Sequence, residues 1–317
     1  MTADVVTVTL NPAIDLTVAV DHLVVGAVHR ARSALSNCGG KGINVAGCLA
    51  DWGVSVAAAG LLGRFNDDAF AEFFAAKGIA DVCVRAPGET RTNIKIAELA
   101  GGSTTDVNLP GLAVDAGKID AVWASALREI GDRTPVVLAG SLPSGAPDDT
   151  WATMIADLAD EGARIVLDTS GAPLSAALGA QATRLPYAVK PNRSELEVLV
   201  GRPLAGTTDV VAAARDLVAR GVALVVVSLG GEGALFVDAA EALSARLPEK
   251  TVLSTVGAGD AMVAGMVAAL IEEASLDRLA RLSVAFATAK LDRIGPHLGP
   301  KATVEDLAAR VDVRRID

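Results

Sequence analysis

The chain has little of what several function classes require. Its 317 residues include only three cysteines and three histidines. Cys38, Cys48 and Cys83 form no CxxC pair, and their odd number and wide spacing argue against a disulfide framework. His22, His29 and His297 are scattered, so no zinc site is expected. Basic runs are missing, and the formal net charge is −10, which argues against the basic face of a nucleic-acid binder. No segment is long and apolar enough for a membrane span, and the first residues lack the basic start of a signal peptide. The expectation is a soluble cytoplasmic protein that contacts neither membrane nor nucleic acid. Any anionic ligand would have to be met by a local exception to the global charge.

Half of the chain, 51%, is hydrophobic, while aromatics are only 3%. Val-rich runs separated by Ala-rich helical stretches suit an α/β layer fold. The pattern predicts strands at 5–10 and 55–60 and a helix at 67–77. From 115 onward it becomes regular. Helices are expected at 115–129, 148–161, from 194, and at 209–220, 258–273 and 276–291. Strands are expected at 136–140, 164–168, 187–190, 223–228, 234–237 and 251–253. Such alternation implies a parallel sheet covered on both faces. The segments 12–36 and 82–109 alternate polar and apolar residues. They read as half-exposed antiparallel strands of one small accessory sheet, inserted into a single domain spanning 1–317.

Glycine-rich and polar clusters occupy 39–44, 140–145, 190–195, 228–233 and 257–260, each following a strand or opening a helix. Ligands of open parallel sheets bind beyond the carboxyl ends of the strands, so these clusters are expected to share one site. In Ser254-Thr-Val-Gly-Ala-Gly-Asp260, two glycines allow a tight loop into a helix. The backbone N–H groups of Ala258, Gly259 and Asp260 would face an anion there, beside a carboxylate able to take a proton. Asp260 alone would serve equally as a helix cap. No Lys-Ser/Thr follows, so this is not a Walker loop.

Gly257-Ala-Gly-Asp260 together with Cys38-Gly-Gly-Lys-Gly-Ile-Asn44 resembles the two signatures of the PfkB (ribokinase-like) carbohydrate kinases. Asn11-Pro-Ala-Ile-Asp15, Thr90-Arg-Thr-Asn93, Gly140-Ser-Leu-Pro143 and Lys190-Pro-Asn-Arg-Ser-Glu195 are similar to the branch that phosphorylates sugar phosphates. The motifs follow the family order over nearly the whole chain. The resemblance implies a three-layer α/β/α domain with a mostly parallel central sheet and a small β-sheet lid, and a homodimer formed through that lid. It implies ATP and Mg²⁺ as cofactors and a ketose phosphate as substrate. D-fructose 1-phosphate fits first, with tagatose 6-phosphate and fructose 6-phosphate as alternatives. A nucleoside or neutral-sugar kinase, or a sugar-phosphate-binding regulator without catalysis, stands further off. The scarcity of aromatics in the lid segments disfavours nucleobase stacking.

The resemblance also implies roles. Asp260 is expected as the base, with the N–H groups of Gly257, Ala258, Gly259 and Asp260 as anion hole. Asp15, Gly39, Gly40 and Asn44 are expected on the sugar hydroxyls, with Asn93 and Ser141 on the same substrate side. Arg30, Lys41 and Arg91 are the candidates for the substrate phosphate. Arg30 reads equally as an exposed arginine beside Arg32, and Lys41 also suits kinases of neutral sugars. On the nucleotide side stand Lys190, Asn192, Ser228, Gly230, Gly231 and Gly233, with Ser283 and Ala287 as a wall of the adenine pocket. Asn192 and Glu195 are expected to organise Mg²⁺, partly through water. Each of these has a plainer alternative: Asn-x-x-Glu is also a capping box, the 228–233 turn a simple hairpin, and Ser283 and Ala287 helix packing. Asp168-Thr-Ser-Gly171 ends another strand and is a further candidate to line the site, although as an acidic turn it reads as unremarkable.

Overall fold

The computed structural model describes residues 3–159, 162–247, 256–293 and 295–316. The strand expected at 251–253, and residues 254 and 255 of the glycine motif, lie outside the described residues. A parallel core is built from β1 (Val5–Thr9), β4 (Val56–Gly63), β9 (Val136–Ala139), β10 (Ile165–Asp168), β11 (Ala188–Val189) and β12 (Leu224–Ser228). Every residue of β1, β4, β9 and β10 is buried, as expected where helices cover both faces. Short parallel strands β5 (Ala80–Asp81) and β6 (Val84–Ala86) extend the β4 edge. Antiparallel β13 (Ala234–Val237), β14 (Ala242–Arg246) and β15 (Asp312–Arg315) extend the other.

Two separate apolar clusters show the layers. On one face of the sheet lie α1 (Lys41–Trp52), α2 (Asp68–Lys77), α8 (Ala258–Ile271), α9 (Leu276–Lys290) and α10 (Lys301–Ala309). On the other lie α3 (Ala116–Leu127), α4 (Thr150–Ala159), α5 (Gly171–Leu178), α6 (Arg193–Val200) and α7 (Thr207–Ala219). Helix α8 is apolar all round and buried without interruption from Asp260 to Leu270, which makes it a central helix rather than a surface one. The three cysteines are free, and among the described residues no helix is long and apolar enough to cross a membrane.

The second sheet has four strands in the order β3 (Ser33–Gly39), β2 (Ala13–Val20), β7 (Arg91–Glu98), β8 (Thr104–Asn108). Its central pair corrects the sequence expectation, because β2 and β7 are parallel. The connectivity explains this. β1 and β6 run the same way in the main sheet, and β2 and β7 follow them directly, so both leave in one direction. Only the return strands β3 and β8 pair antiparallel. The segment 82–109 is also divided, since β6 pairs with β4 of the main sheet. With side chains alternating along strands, the faces separate. Asp15, Thr17, Asn37 and Lys95 line a cleft, while half-buried Leu16, Val18, Ile94 and Ile96 share the opposite face with exposed Val107.

Helices α8 and α9 cross closely at Gly265, where a Cβ would stand 2.7 Å from Ser283 Cα. Gly265→Leu is therefore expected to lower stability by at least about 1–3 kcal/mol through overpacking. Urea unfolding measures this, and an unchanged midpoint would contradict the crossing.

Candidate active site

The carboxyl ends of β1, β9, β10, β11 and β12 lie on one edge, and the amino terminus of α8 meets them there. Gly257 precedes α8 with φ 76°, a left-handed conformation, and a Cβ on it would stand 3.2 Å from Lys290 Cε. Both facts call for glycine. The first intrahelical bond after this turn is from Ala261 N–H to Gly257 O, so the N–H groups of Ala258, Gly259 and Asp260 have no acceptor within the helix. Asp260 is 9% exposed, and its Oδ2 accepts from Asn44 Nδ2 at 2.7 Å. Asn44 is fixed by α1, its backbone N–H donating to Gly40 O at 2.9 Å.

Two lysines converge on a second carboxylate. Lys41 Nζ lies 2.9 Å and Lys190 Nζ 3.5 Å from Asp168 Oδ1, and Asp168 is 1% exposed. Burial alone would raise the Asp168 carboxyl, but Lys190 and Lys41 hold it below its ordinary value. Burial likewise opposes the Lys41 charge, and Asp168 and Asp260 more than offset it, so its proton is held above the usual range. Asp260 is different. Burial and then the negative Asp168 raise its carboxyl above the ordinary value, with Lys41, Asn44 and Lys190 only moderating the rise. Lys190 Nζ also lies 3.5 Å from where a Cβ of Gly259 would be, which sets its ammonium against the first turn of α8.

Beside this cluster the small sheet carries Asp15, whose Oδ1 accepts from Asn93 Nδ2 at 3.1 Å. The cross-strand register dictates the pair, since Asp15 stands opposite Asn93 on one side and Asn37 on the other. Burial raises the Asp15 carboxyl, and Asn93, Lys95 and Arg91 oppose the rise. A Cβ on Gly39 would fall 2.2 Å from Asp15 Oδ2, and Gly40, at φ 110°, brings α1 against Thr9 and Pro12. The cleft between this sheet and α8 is lined by Asp15, Asn37, Asn44, Lys95, Gly257 and Lys290 among others. Arg91 donates to the carbonyls of Asn11, Pro12 and Leu109 rather than to a carboxylate. Ser141 Oγ accepts from Asn11 Nδ2 at 3.1 Å, so Asn11 ties the end of β1 to the 140–143 loop. Arg30 is exposed in the segment between β2 and β3, with no hydrogen bond or ion pair to the site among the described residues. Its neighbour Arg32 pairs with Asp21.

On the far side of Lys190, Asn192 and Glu195 form a full capping box: Glu195 N–H donates to Asn192 Oδ1 and Asn192 N–H to Glu195 Oε2, both at 2.8 Å. Asn192 also bridges to Ser228. The turn Gly230–Glu232 is an exposed 3₁₀ turn between β12 and β13. Gly230 and Gly231 leave its surface bare. Gly233 has a structural reason, because a Cβ there would lie 2.2 Å from Ala245 O. Ser283 is fully buried at the α8 crossing, with its hydroxyl donating to Leu279 O at 2.7 Å. Ala287, one turn on, is half-buried against the core. Among the described residues no group of three or more His, Cys, Asp or Glu could hold a metal.

Sequence reasoning placed Asp168 at a strand end that could line the site but weighed it as an unremarkable acidic turn, and did not single out Lys95. Removing the charge of Asp168 leaves two largely enclosed ammonium groups without their carboxylate. Asp168→Asn is expected to cost about 3–5 kcal/mol of stability in urea unfolding; a loss below about 1 kcal/mol would contradict the clamp.

A profile described as pfkB family carbohydrate kinase matches residues 6–302. The 1-phosphofructokinase of Xanthomonas campestris pv. campestris is 50% identical over 98% of both chains. That of Rhodobacter capsulatus is 45% identical over 100% of this chain and 99% of its own. Among solved structures, phosphofructokinase-2 from Escherichia coli in complex with fructose-6-phosphate superposes with a TM-score of 0.88 at 31% identity, covering 98% of this chain and 99% of that one. With its ribokinase-like α/β fold, and with a match that runs through nearly all of its length, the chain belongs to the pfkB family of carbohydrate kinases.

Proposed function

We propose that the protein is an ATP-dependent 1-phosphofructokinase, transferring the γ-phosphoryl group of ATP to D-fructose 1-phosphate to give fructose 1,6-bisphosphate and ADP. The observation that carries the chemistry is the buried Asp260 carboxyl, with raised proton affinity, on the first turn of α8. The substrate reading draws on the relatives named above.

In this reading the sugar lies in the cleft, with its hydroxyls on Asp15, Asn44 and the backbone at Gly39 and Gly40. Asp260 takes the proton of the acceptor hydroxyl as that oxygen bonds to the γ-phosphorus and the bond to ADP breaks. The N–H groups of the first turn of α8, with Lys41 and Lys190, receive the charge on the transferring group. Arg91 and Ser141, near the end of β1, meet the substrate phosphate. The residues suit a hydrated cation better than a stripped one: Glu195 offers a single carboxylate beside Lys41, and Mg²⁺ keeps several waters. When bound with ATP, Mg²⁺ would neutralise the phosphate oxygens from the Asn192–Glu195 side.

The small sheet acts as a lid whose closure over the sugar excludes water and limits ATP hydrolysis. Its opposite face, with Leu16, Val18, Ile94, Ile96 and Val107, is the surface for a second copy of the chain, giving a homodimer through the lid.

ADP release across a panel of fructose 1-phosphate, fructose 6-phosphate, tagatose 6-phosphate and fructose tests the proposal. Fructose 1-phosphate should give the highest kcat/KM, and Asp260→Asn should lower its turnover by roughly 10²–10⁴-fold. A preference for another sugar would overturn the substrate, and near-normal turnover of the variant would overturn the base.

A further inference from the structure

Lys290 is the last residue of α9, yet it does not behave like a lysine that merely complements a helix carboxyl end. Such side chains keep the ammonium in water. This one is 3% exposed, and its Nζ donates to Arg293 O at 2.8 Å. It forms no ion pair with a carboxylate among the described residues. The side chain runs beneath the turn that opens α8: the Cβ position of Gly257 lies 3.2 Å from Lys290 Cε and 3.8 Å from Nζ. The same Cβ position lies 4.0 Å from Asn44 Nδ2, the group that holds Asp260. Lys290 therefore stands behind the N–H groups of the first turn of α8 and lines the cleft with Gly257.

A buried ammonium without a carboxylate is costly, and a small apolar residue would fill the space at lower cost. Burial works against its proton, and Lys95, which lines the same cleft, adds repulsion, while Asp260 supports the charge. Asp292 also supports it, whereas the thiol of Cys48 is pushed up to about 12 by burial and supplies no negative charge at neutral pH. The enclosed positive charge thus faces the place where the reaction would gather negative charge.

We propose that Lys290 is a positioning residue for phosphoryl transfer, a resident cation whose ammonium braces the Gly257 turn against the Arg293 carbonyl and places fixed positive charge behind the α8 amino terminus. Its ammonium is bonded to the Arg293 carbonyl, so its part is to hold the turn and not to exchange a proton. It holds the turn that presents the N–H groups and strengthens the field at that end of the helix. The glycine at 257 and the lysine at 290 are then one unit, because a Cβ at 257, strained by the positive φ, would also crowd Lys290 Cε at 3.2 Å.

The inference rests on the phosphoryl-transfer reading, which wild-type turnover checks separately in the same assay. Lys290→Met removes the charge with little change of volume, and Lys290→Gln keeps a donor for Arg293 O but no charge. Both should fold with a Tm near that of wild type and should lower kcat at least about 10-fold, short of the roughly 10²–10³-fold typical of losing a direct oxyanion donor. KM for the sugar phosphate should change less than about threefold, since the lost interaction favours the transition state. Ammonium chloride should restore part of the kcat of Lys290→Met, and sodium chloride at equal ionic strength should not. Wild-type kcat in Lys290→Gln would overturn the inference. So would a loss of kcat that ammonium does not reverse, or one expressed as a matching rise in KM.

Discussion

Asp260 and Asp168 compete for the same two lysines, and the outcome sets the character of the site. Lys41 and Lys190 both approach Asp168 Oδ1, and neither forms an ion pair with Asp260. Asp168 is thereby fixed as an anion, and its charge pushes the Asp260 proton affinity upward beyond what burial does alone. Asp260 is left with one neutral partner, the amide of Asn44. A carboxylate paired directly with a lysine would hold its charge too firmly to accept a proton usefully. One that shares a buried site with a clamped anion is poised to do so.

The backbone around this pair is shaped to bring it together. Asp168 arrives on β10, Lys190 just after β11, Lys41 at the start of α1 and Asp260 on the first turn of α8. These positions are distant in sequence and adjacent because parallel strands present all their carboxyl ends on one edge. Two glycines permit the close approaches: Gly39 leaves room for Asp15 and Gly257 for Lys290. The small sheet adds a second constraint. Its parallel central pair fixes Asp15 beside Asn93, and the pleat then divides polar residues toward the cleft from apolar ones on the opposite face.

Much of this could be read in the sequence, for identifiable reasons. Buried parallel strands such as Val5–Thr9 are unbroken apolar runs, and the glycine clusters mark the turns that follow them. The motifs around Asp15, Asn44 and Asp260 pointed to one site because they sit at such turns. The sense of β2 against β7 was not legible, since alternation reports which faces are wet and not strand direction. Asp168 looked like an ordinary acidic turn, because its meaning depends on lysines 127 positions before it and 22 after. Small residues along α9 fit a pocket wall or a close helix crossing equally well in sequence, and Ser283 stands at the crossing with Gly265. Lys290 could not be weighed without its burial.

The pH dependence of kcat/KM tests the competition between the two carboxylates most directly. A base must be deprotonated to act, so activity should fall as pH drops through the Asp260 pKa, and the acid limb should lie above the ordinary carboxylate value of 3.8. Asp168→Asn, assayed where it remains folded, removes the negative charge that raises Asp260 and releases Lys41 and Lys190 to act on it. The acid limb should then move to lower pH. A limb that stays in place or moves upward would contradict the account.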